Sequence, residues 1–266
     1  MANSPDVFSR HLQDEIQQLY QTLSEDGKYG HYARIPGRIC RCLDYFNVPF
    51  SRGAIRERLR SYYLFIGVVD AVIDSSQLEA GREVLEQLVN RIPFFDEETR
   101  RSDTRLVTEV LKCHISIEIY PMVLARLGDL YQAVVGERRS SSMSAYIEHR
   151  KGIGCLTAEV SYLLIRPLLN AEHEALRRFL QEVGEVGCLI DSVIDLRADD
   201  RLGLLSFRPT LKDHLKLMRQ MLRDGSKVVF KHPRLLGLFL EGIRDTLLDL
   251  LREGREKRMA DRPGNP

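Results

Sequence analysis

Asp70 and Asp74 in YYLFIGVVDAVIDSS, and Asp191, Asp195 and Asp199 in EVGCLIDSVIDLRADD, are the residues whose type and spacing could do chemistry. Every gap within each set is four residues, so on an α-helix each set stacks along one face, one turn above the next. Like charges at this spacing repel, by roughly 0.2–0.5 kcal/mol per pair on an exposed surface. In apolar surroundings the cost is larger unless something positive offsets it. Two such stripes, far apart in sequence, suggest two carboxylate walls facing each other across a cation. Hard oxygen ligands presented this way suit Mg²⁺, which keeps several waters and is held through a few carboxylates together with substrate phosphates.

The elements that must carry these side chains read as helices. Leu, Arg and Glu are plentiful, and apolar residues recur at steps of three and four rather than alternating. The pattern predicts helices at 6–25, 36–47, 54–75, 79–91, 97–136, 142–169, 172–200, 210–225 and 233–256. Breaks fall at Gly27 and Gly30, Pro49 with Ser51, Pro93, Gly136 with the following serines, Pro209, and His232-Pro233. Pro121 lies inside the 97–136 pattern and is expected to kink it. There is no repeat, no Gly/Ser-rich linker and no run of alternating strands, so residues 1–266 are expected to form a single all-α domain. Only the ends, 1–5 and 257–266, are expected to be disordered.

On the first aspartate helix, stepping back from Asp70 gives Gly67, Ile66, Tyr63 and Leu59, so the carboxylates continue an apolar stripe. A lone D-x3-D is ordinarily a solvated face; the stripe argues against that here. Asp191 likewise shares its face with Cys188, Gly187, Gly184 and Val183. A glycine within a helix costs about 1 kcal/mol relative to alanine, and Gly67, Gly184 and Gly187 all lie one or two turns below an aspartate. Close helix packing would account for any one of them; together they fit a pocket under an acidic rim, with Tyr63, Phe65, Ile66, Val69 and Cys188 as its candidate wall. Between the stripes, Arg150 and Lys151 precede Gly152 and Gly154 in an otherwise apolar helix. Arginine offers a planar fork of donors that matches phosphate oxygens, although Glu148 or Glu159 could instead make it a local surface pair. Arg201 and Arg208, beyond the second stripe, are further candidates for the rim.

Lys+Arg (39) nearly balances Asp+Glu (38). No global field points to nucleic acid or an acidic membrane, and any positive charge that matters must be local. The longest apolar runs fall short of the roughly 20 residues a transmembrane helix needs. The five cysteines show no paired CxxC pattern, and the N-terminus shows no secretory signal pattern, so reduced thiols and a cytoplasmic location are expected. A di-iron bundle would want Glu-x-x-His pairs, and none is apparent.

On these residues the chain resembles the class I isoprenoid (terpenoid) synthase superfamily over roughly residues 55–210. Its squalene/phytoene synthase branch carries Y-x6-D-x3-D, here Tyr63 through Asp70 and Asp74, and a later N-x3-D-x3-E/D, here Asp191, Asp195 and Asp199 in DSVIDLRADDRLGLLSF. The latter three also match the N-x3-S-x3-E metal triad of class I terpene cyclases, and Tyr146 with Arg150 resembles the cyclases' Y-x3-R diphosphate-sensing stretch. The resemblance implies an isoprenoid-synthase-type helical bundle with a central apolar pocket, a Mg²⁺ cluster on the aspartates and a prenyl diphosphate substrate; a homodimer is possible and the oligomeric state is open. Head-to-head synthases usually carry arginine three residues before the first aspartate, where this chain has Gly67. Cyclases usually carry DDxxD and a C-terminal Arg-Tyr pair, where this chain has DAVID and no such pair.

The implied reaction is Mg²⁺-triggered ionisation of an allylic diphosphate. Asp70, Asp74, Asp191, Asp195 and Asp199 would hold metal; Arg150, with Lys151 and Arg201, would bind the diphosphate. Cyclisation or elimination to a terpene is the expected outcome. Head-to-head condensation of two prenyl diphosphates, or a non-catalytic binding protein of the same fold, are the alternatives. Substrate chain length is open.

Overall fold

A computed structural model of the chain describes residues 5–75, 78–237, 240–241 and 244, with side chains described from residue 14 onward. Among the described residues every regular element is helical. Ten α-helices follow in order: α1 (Pro5–Glu25), α2 (Gly30–Tyr45), α3 (Arg52–Asp74), α4 (Leu78–Val89), α5 (Glu97–Arg101), α6 (Asp103–His114), α7 (Tyr120–Arg138), α8 (Met143–Ile165), α9 (Glu174–Arg201) and α10 (Leu211–Lys231). Single 3₁₀ turns lie at Gly27–Tyr29, Arg166–Leu168 and Pro233–Leu235. No described helix is long and apolar enough to cross a membrane. The expected helix at 233–256 and both expected disordered ends lie largely outside the described residues.

Three expectations about boundaries are corrected, one of them being that the helix expected at 210–225 runs on to Lys231. The 97–136 stretch is three helices, not one kinked helix. Asp96 and Thr99 close a reciprocal cap at the start of α5, and the Ser102 side chain accepts from the Arg105 backbone N–H to begin α6. Ile115 is extended, and Pro121 sits in the first turn of α7, where its missing N–H has no intrahelical partner to lose. Helix α2 begins at Gly30 rather than residue 36, with Pro36 buried inside it. That earlier start puts His31, Tyr32, Ile35, Arg38, Ile39 and Cys42 on a helix at mixed three- and four-residue steps.

The frame of the site is α3, α8 and α9. α8 packs along α9 on one side and α7 on the other, while α3 packs on α2, α6, α4 and α8. From Ala158 to Ile165 every residue of α8 is buried, which is why apolar residues occupy most of its circumference there, with Glu159 paired to Arg177 and Ser161 to Tyr63. Tyr62, Leu59, Leu164, Ile165 and Phe179 are among the largest fully buried side chains, and they join α3, α8 and α9 in one core. α8 and α9 touch backbone to backbone at Gly154 and Gly184: a Cβ on either would overlap the other's carbonyl. The close-packing reading therefore holds for Gly184. It holds for Gly67 too, where a Cβ would lie 2.7 Å from the Tyr32 ring and 3.1 Å from that of Tyr29. Gly187 faces open space.

Candidate functional site: an acidic cleft over an apolar cavity

The two aspartate stripes line one cleft of about 300 Å³. α3 supplies Asp70 and Asp74, α9 supplies Asp191, Asp195 and Asp199, α8 supplies Arg150, and α7 supplies Glu137 and Arg138. Beneath it lies a second cavity of about 300 Å³ with a mainly apolar wall that includes Ile35, Ile39, Tyr63, Ile66, Ala158, Val183 and Gly187. The two share His31, Tyr32, Asp70, Arg150, Ile153 and Asp191, so charged groups ring the junction between a polar mouth and an apolar interior. That size is at the low end for small-molecule pockets.

The carboxylates feel one another. Burial, then repulsion from Asp70, lifts the Asp74 carboxyl to about 6, against the pull of Arg138. Burial, then Asp195, lifts Asp199 to about 6, and Asp74 on the opposite wall adds to the shift. Burial raises Asp191 as well, with Asp70 across the cleft adding to it and His31 and Arg150 opposing it. Glu137 is likewise raised by burial, and Arg150 opposes the shift. Mutual destabilisation of ionised groups across a gap is the electrostatic pattern that a bound cation would relieve.

Two arginines temper it. Arg138 Nη2 donates to Asp74 Oδ1 at 2.6 Å. Arg150 donates from Nε to Ser192 Oγ at 2.8 Å and from Nη2 to the Cys188 carbonyl at 3.3 Å, and its Nη1 reaches Glu137 Oε1 at 3.5 Å. Burial alone would lower the guanidinium's pKa; Glu137, and then Cys188, Tyr146 and Asp191, more than reverse that and keep it charged. Its partner is thus Glu137, from another helix, rather than Glu148 or Glu159 of its own; Glu159 is bound by Arg177. The Tyr32 hydroxyl donates to Asp70 Oδ2 at 3.0 Å and fixes the first carboxylate at the junction. Below it, Tyr63 OH and Ser161 Oγ are 2.9 Å apart, which satisfies both hydroxyls inside the cavity wall.

Some sequence candidates lie elsewhere. Lys151 does not line either cavity; its Nζ is 3.2 Å from Glu185 and 3.2 Å from Asp224. Neighbouring residues on a helix point about 100° apart, and here Lys151 is turned towards Glu185 on α9 and Asp224 on α10 while Arg150 faces the cleft. Arg201 is exposed and bonds the Arg197 carbonyl, and Arg208 is exposed too. Phe65 lines a separate apolar cavity of about 90 Å³ against α4 and α7, which Val69 also lines. Gly67 lies behind the cavity wall against Tyr29 and Tyr32. Tyr146 is fully buried in a small core with Leu189, Leu196 and Leu217, one turn below Arg150. Tyr63, Ile66, Gly184, Gly187 and Cys188 do line the apolar cavity.

The sequence reading missed His31, Tyr32, Glu137 and Arg138. The face shared by His31, Ile35, Arg38 and Cys42 was visible as helical spacing, but only once the helix was begun at Gly30. Glu137 and Arg138 close α7, and nothing local marks them as facing α3.

Among the described residues no three His, Cys, Asp or Glu side chains converge tightly enough to enclose a metal by themselves. An all-carboxylate donor set on two separated walls instead fits Mg²⁺, whose shell is completed by water and by a ligand's phosphate oxygens. One consequence concerns pH. Because folding raises the Asp199 carboxyl from 3.8 to about 6, its ionised form destabilises the native state: stability is full below the unfolded value and is lost as pH rises through about 6. Asp199→Asn is therefore expected to raise the melting free energy in metal-free buffer by about 1 kcal/mol at about pH 8, after allowance for solvent screening. The advantage fades as pH falls towards about 4. Thermal melts of both proteins across that range check it; a constant difference would refute the assignment.

Searches of known protein families, curated proteins and solved structures found no match to this chain.

Proposed function

We propose that this chain is a Mg²⁺-dependent class I terpene synthase of the isoprenoid-synthase type, ionising a prenyl diphosphate and cyclising it or eliminating from it. The carrying observation is the junction: Asp70, Asp191 and Arg150 belong both to the acidic cleft and to the apolar cavity. A molecule with a diphosphate head and a hydrocarbon tail is matched at both ends, with its scissile C–O bond between them.

Mg²⁺ held by Asp70 and Asp74 on one wall and Asp191, Asp195 and Asp199 on the other would supply neutralisation of the charge that builds on the leaving diphosphate. Arg150 sits where its donors can turn from Ser192 and the Cys188 carbonyl to the same oxygens. Arg138, bound to Asp74, is a second cation in the cleft. The hydrocarbon would react in a mainly apolar cavity that limits access of water, with Tyr63 as an aromatic side chain in its wall. Burial pushes the Cys188 thiol up to about 12, so it stays protonated and is a poor trap for a carbocation.

Gly67 supports one substrate rather than two. Head-to-head enzymes carry arginine at that place, and here Tyr32 fills the space a side chain would need. Against this, Arg38 lines the apolar cavity without lining the cleft, and a second diphosphate would need a cation of its own. Head-to-head condensation is thus the second reading.

The test is incubation of the protein with ten-, fifteen- and twenty-carbon prenyl diphosphates and Mg²⁺, with products read by mass spectrometry. A hydrocarbon or alcohol built from one substrate is expected, together with released diphosphate. A skeleton built from two substrates would establish condensation, and tight binding without turnover would mark a non-catalytic relative. Asp70→Asn is expected to lower the rate by about 10²-fold or more; a folded variant with full activity would remove Asp70 from the site.

A further inference from the structure

Helix α10 turns Leu217, Asp224 and Val228 inward, with Met221 half-buried beside them, and leaves its opposite side to solvent. Leu211, Leu215, Met218 and Leu222 recur at steps of four, three and four, which aligns them in one stripe. They are exposed at 73%, 52%, 40% and 60%, so this is a second apolar face, separate from the one that packs on α8 and α9. About a quarter-turn further round run Lys212, Lys216, Arg219, Arg223 and Lys227, with Phe230 among them at 85% exposed.

This arc presents no acidic side chain. The two aspartates of α10 are engaged elsewhere: Asp213 in the helix cap with Thr210, and Asp224 in the buried pair with Lys151. Lys216 reaches Ser144 and Lys227 reaches Asp224, while Lys212, Arg219 and Arg223 make no hydrogen bond or ion pair among the described residues. Glu241, ten residues beyond α10, pairs with Arg41 on α2. A second copy seated on the stripe would set one basic flank beside another, and like charges at a contact oppose it.

We propose that α10 docks on an anionic lipid surface, its leucine stripe sunk at the headgroup boundary and its basic flank on the lipid phosphates. Exposed Leu and Phe beside Lys and Arg on one helix, with no acid between them, is the complement of such a surface. The helix lies on the bilayer and does not cross it. Leu204 and Leu205 line the acidic cleft and run through residues 206–210 into the start of α10, so docking would hold the cleft close to the membrane.

Co-sedimentation of the full chain with vesicles tests this without any turnover. Binding is expected to vesicles of phosphatidylcholine mixed with phosphatidylserine, with weak binding to phosphatidylcholine alone and release by high salt. The variants Leu215→Glu/Leu222→Glu and Arg219→Glu/Arg223→Glu are expected to keep the wild-type melting temperature and to partition about tenfold or more weakly. The proposal is overturned if the wild type ignores anionic vesicles, or if folded variants bind them as well as the wild type does. It is equally overturned if sedimentation velocity shows a dimer that Leu215→Glu/Leu222→Glu splits into monomers.

Discussion

Arg150→Ala is expected to lower Mg²⁺-dependent diphosphate release by about 10³-fold in kcat/KM, the loss typical of removing a preorganised donor from a developing anion. The same change strips Glu137 of a guanidinium partner 3.5 Å away in a largely buried setting. Breaking one side of such a pair costs about 3 kcal/mol. Activity and stability would thus fall together, and two further proteins separate them. Arg150→Ala/Glu137→Gln removes the stranded charge and is expected to recover most of the stability while staying inactive. Arg150→Lys keeps a charge but loses the planar fork, and is expected to keep the fold with a partial loss of rate. Thermal melts and steady-state kinetics on the four proteins decide the matter; a folded Arg150→Ala with wild-type kcat/KM would remove this residue from the proposed diphosphate site.

The second large effect is structural. Gly154→Ala places a methyl group against the Gly184 carbonyl and is expected to cost about 3 kcal/mol, because one helix backbone must move away from the other. For a chain of this size that lowers the melting temperature by about 6–12 °C. Gly152, two residues earlier in α8, has nothing within 4 Å of its missing Cβ. Gly152→Ala is expected to stabilise by about 0.5–1 kcal/mol through helix propensity alone. Opposite signs from two glycines two residues apart in the same helix would be hard to obtain from propensity; equal signs would mean that the α8–α9 contact is looser than described. Since α8 carries Arg150 and α9 carries three of the aspartates, the Gly154 variant should also weaken Mg²⁺ binding measured by calorimetry.

How far the site could be read in advance depends on the kind of residue. Asp70, Asp74, Asp191, Asp195 and Asp199 were legible because helical periodicity is local: four-residue spacing stacks side chains wherever the helix packs. Cys188 and Gly187 followed from the same faces. Lys151 lies outside the cleft, between Glu185 and Asp224, partners on two other helices that its own sequence neighbourhood does not mark. Phe65 failed likewise: it points off the face of Ile66 and Tyr63 into the neighbouring cavity against α4. Ion-pair partners were not legible at all. Arg150 had acidic candidates nearby in its own helix, yet it binds Glu137, because burial excludes exposed groups and brings the end of α7 alongside.

By itself the sequence determined that the chain is helical and that two of its helices each carry a column of carboxylates continuing an apolar face. It did not determine how far each helix is rolled about its own axis. That roll is set by contacts between helices, above all the Gly154–Gly184 approach and the Tyr32 ring against Gly67. Only with those contacts made do the two columns line one cleft, with Tyr32 on Asp70 and Arg150 at the entrance to the apolar cavity beneath.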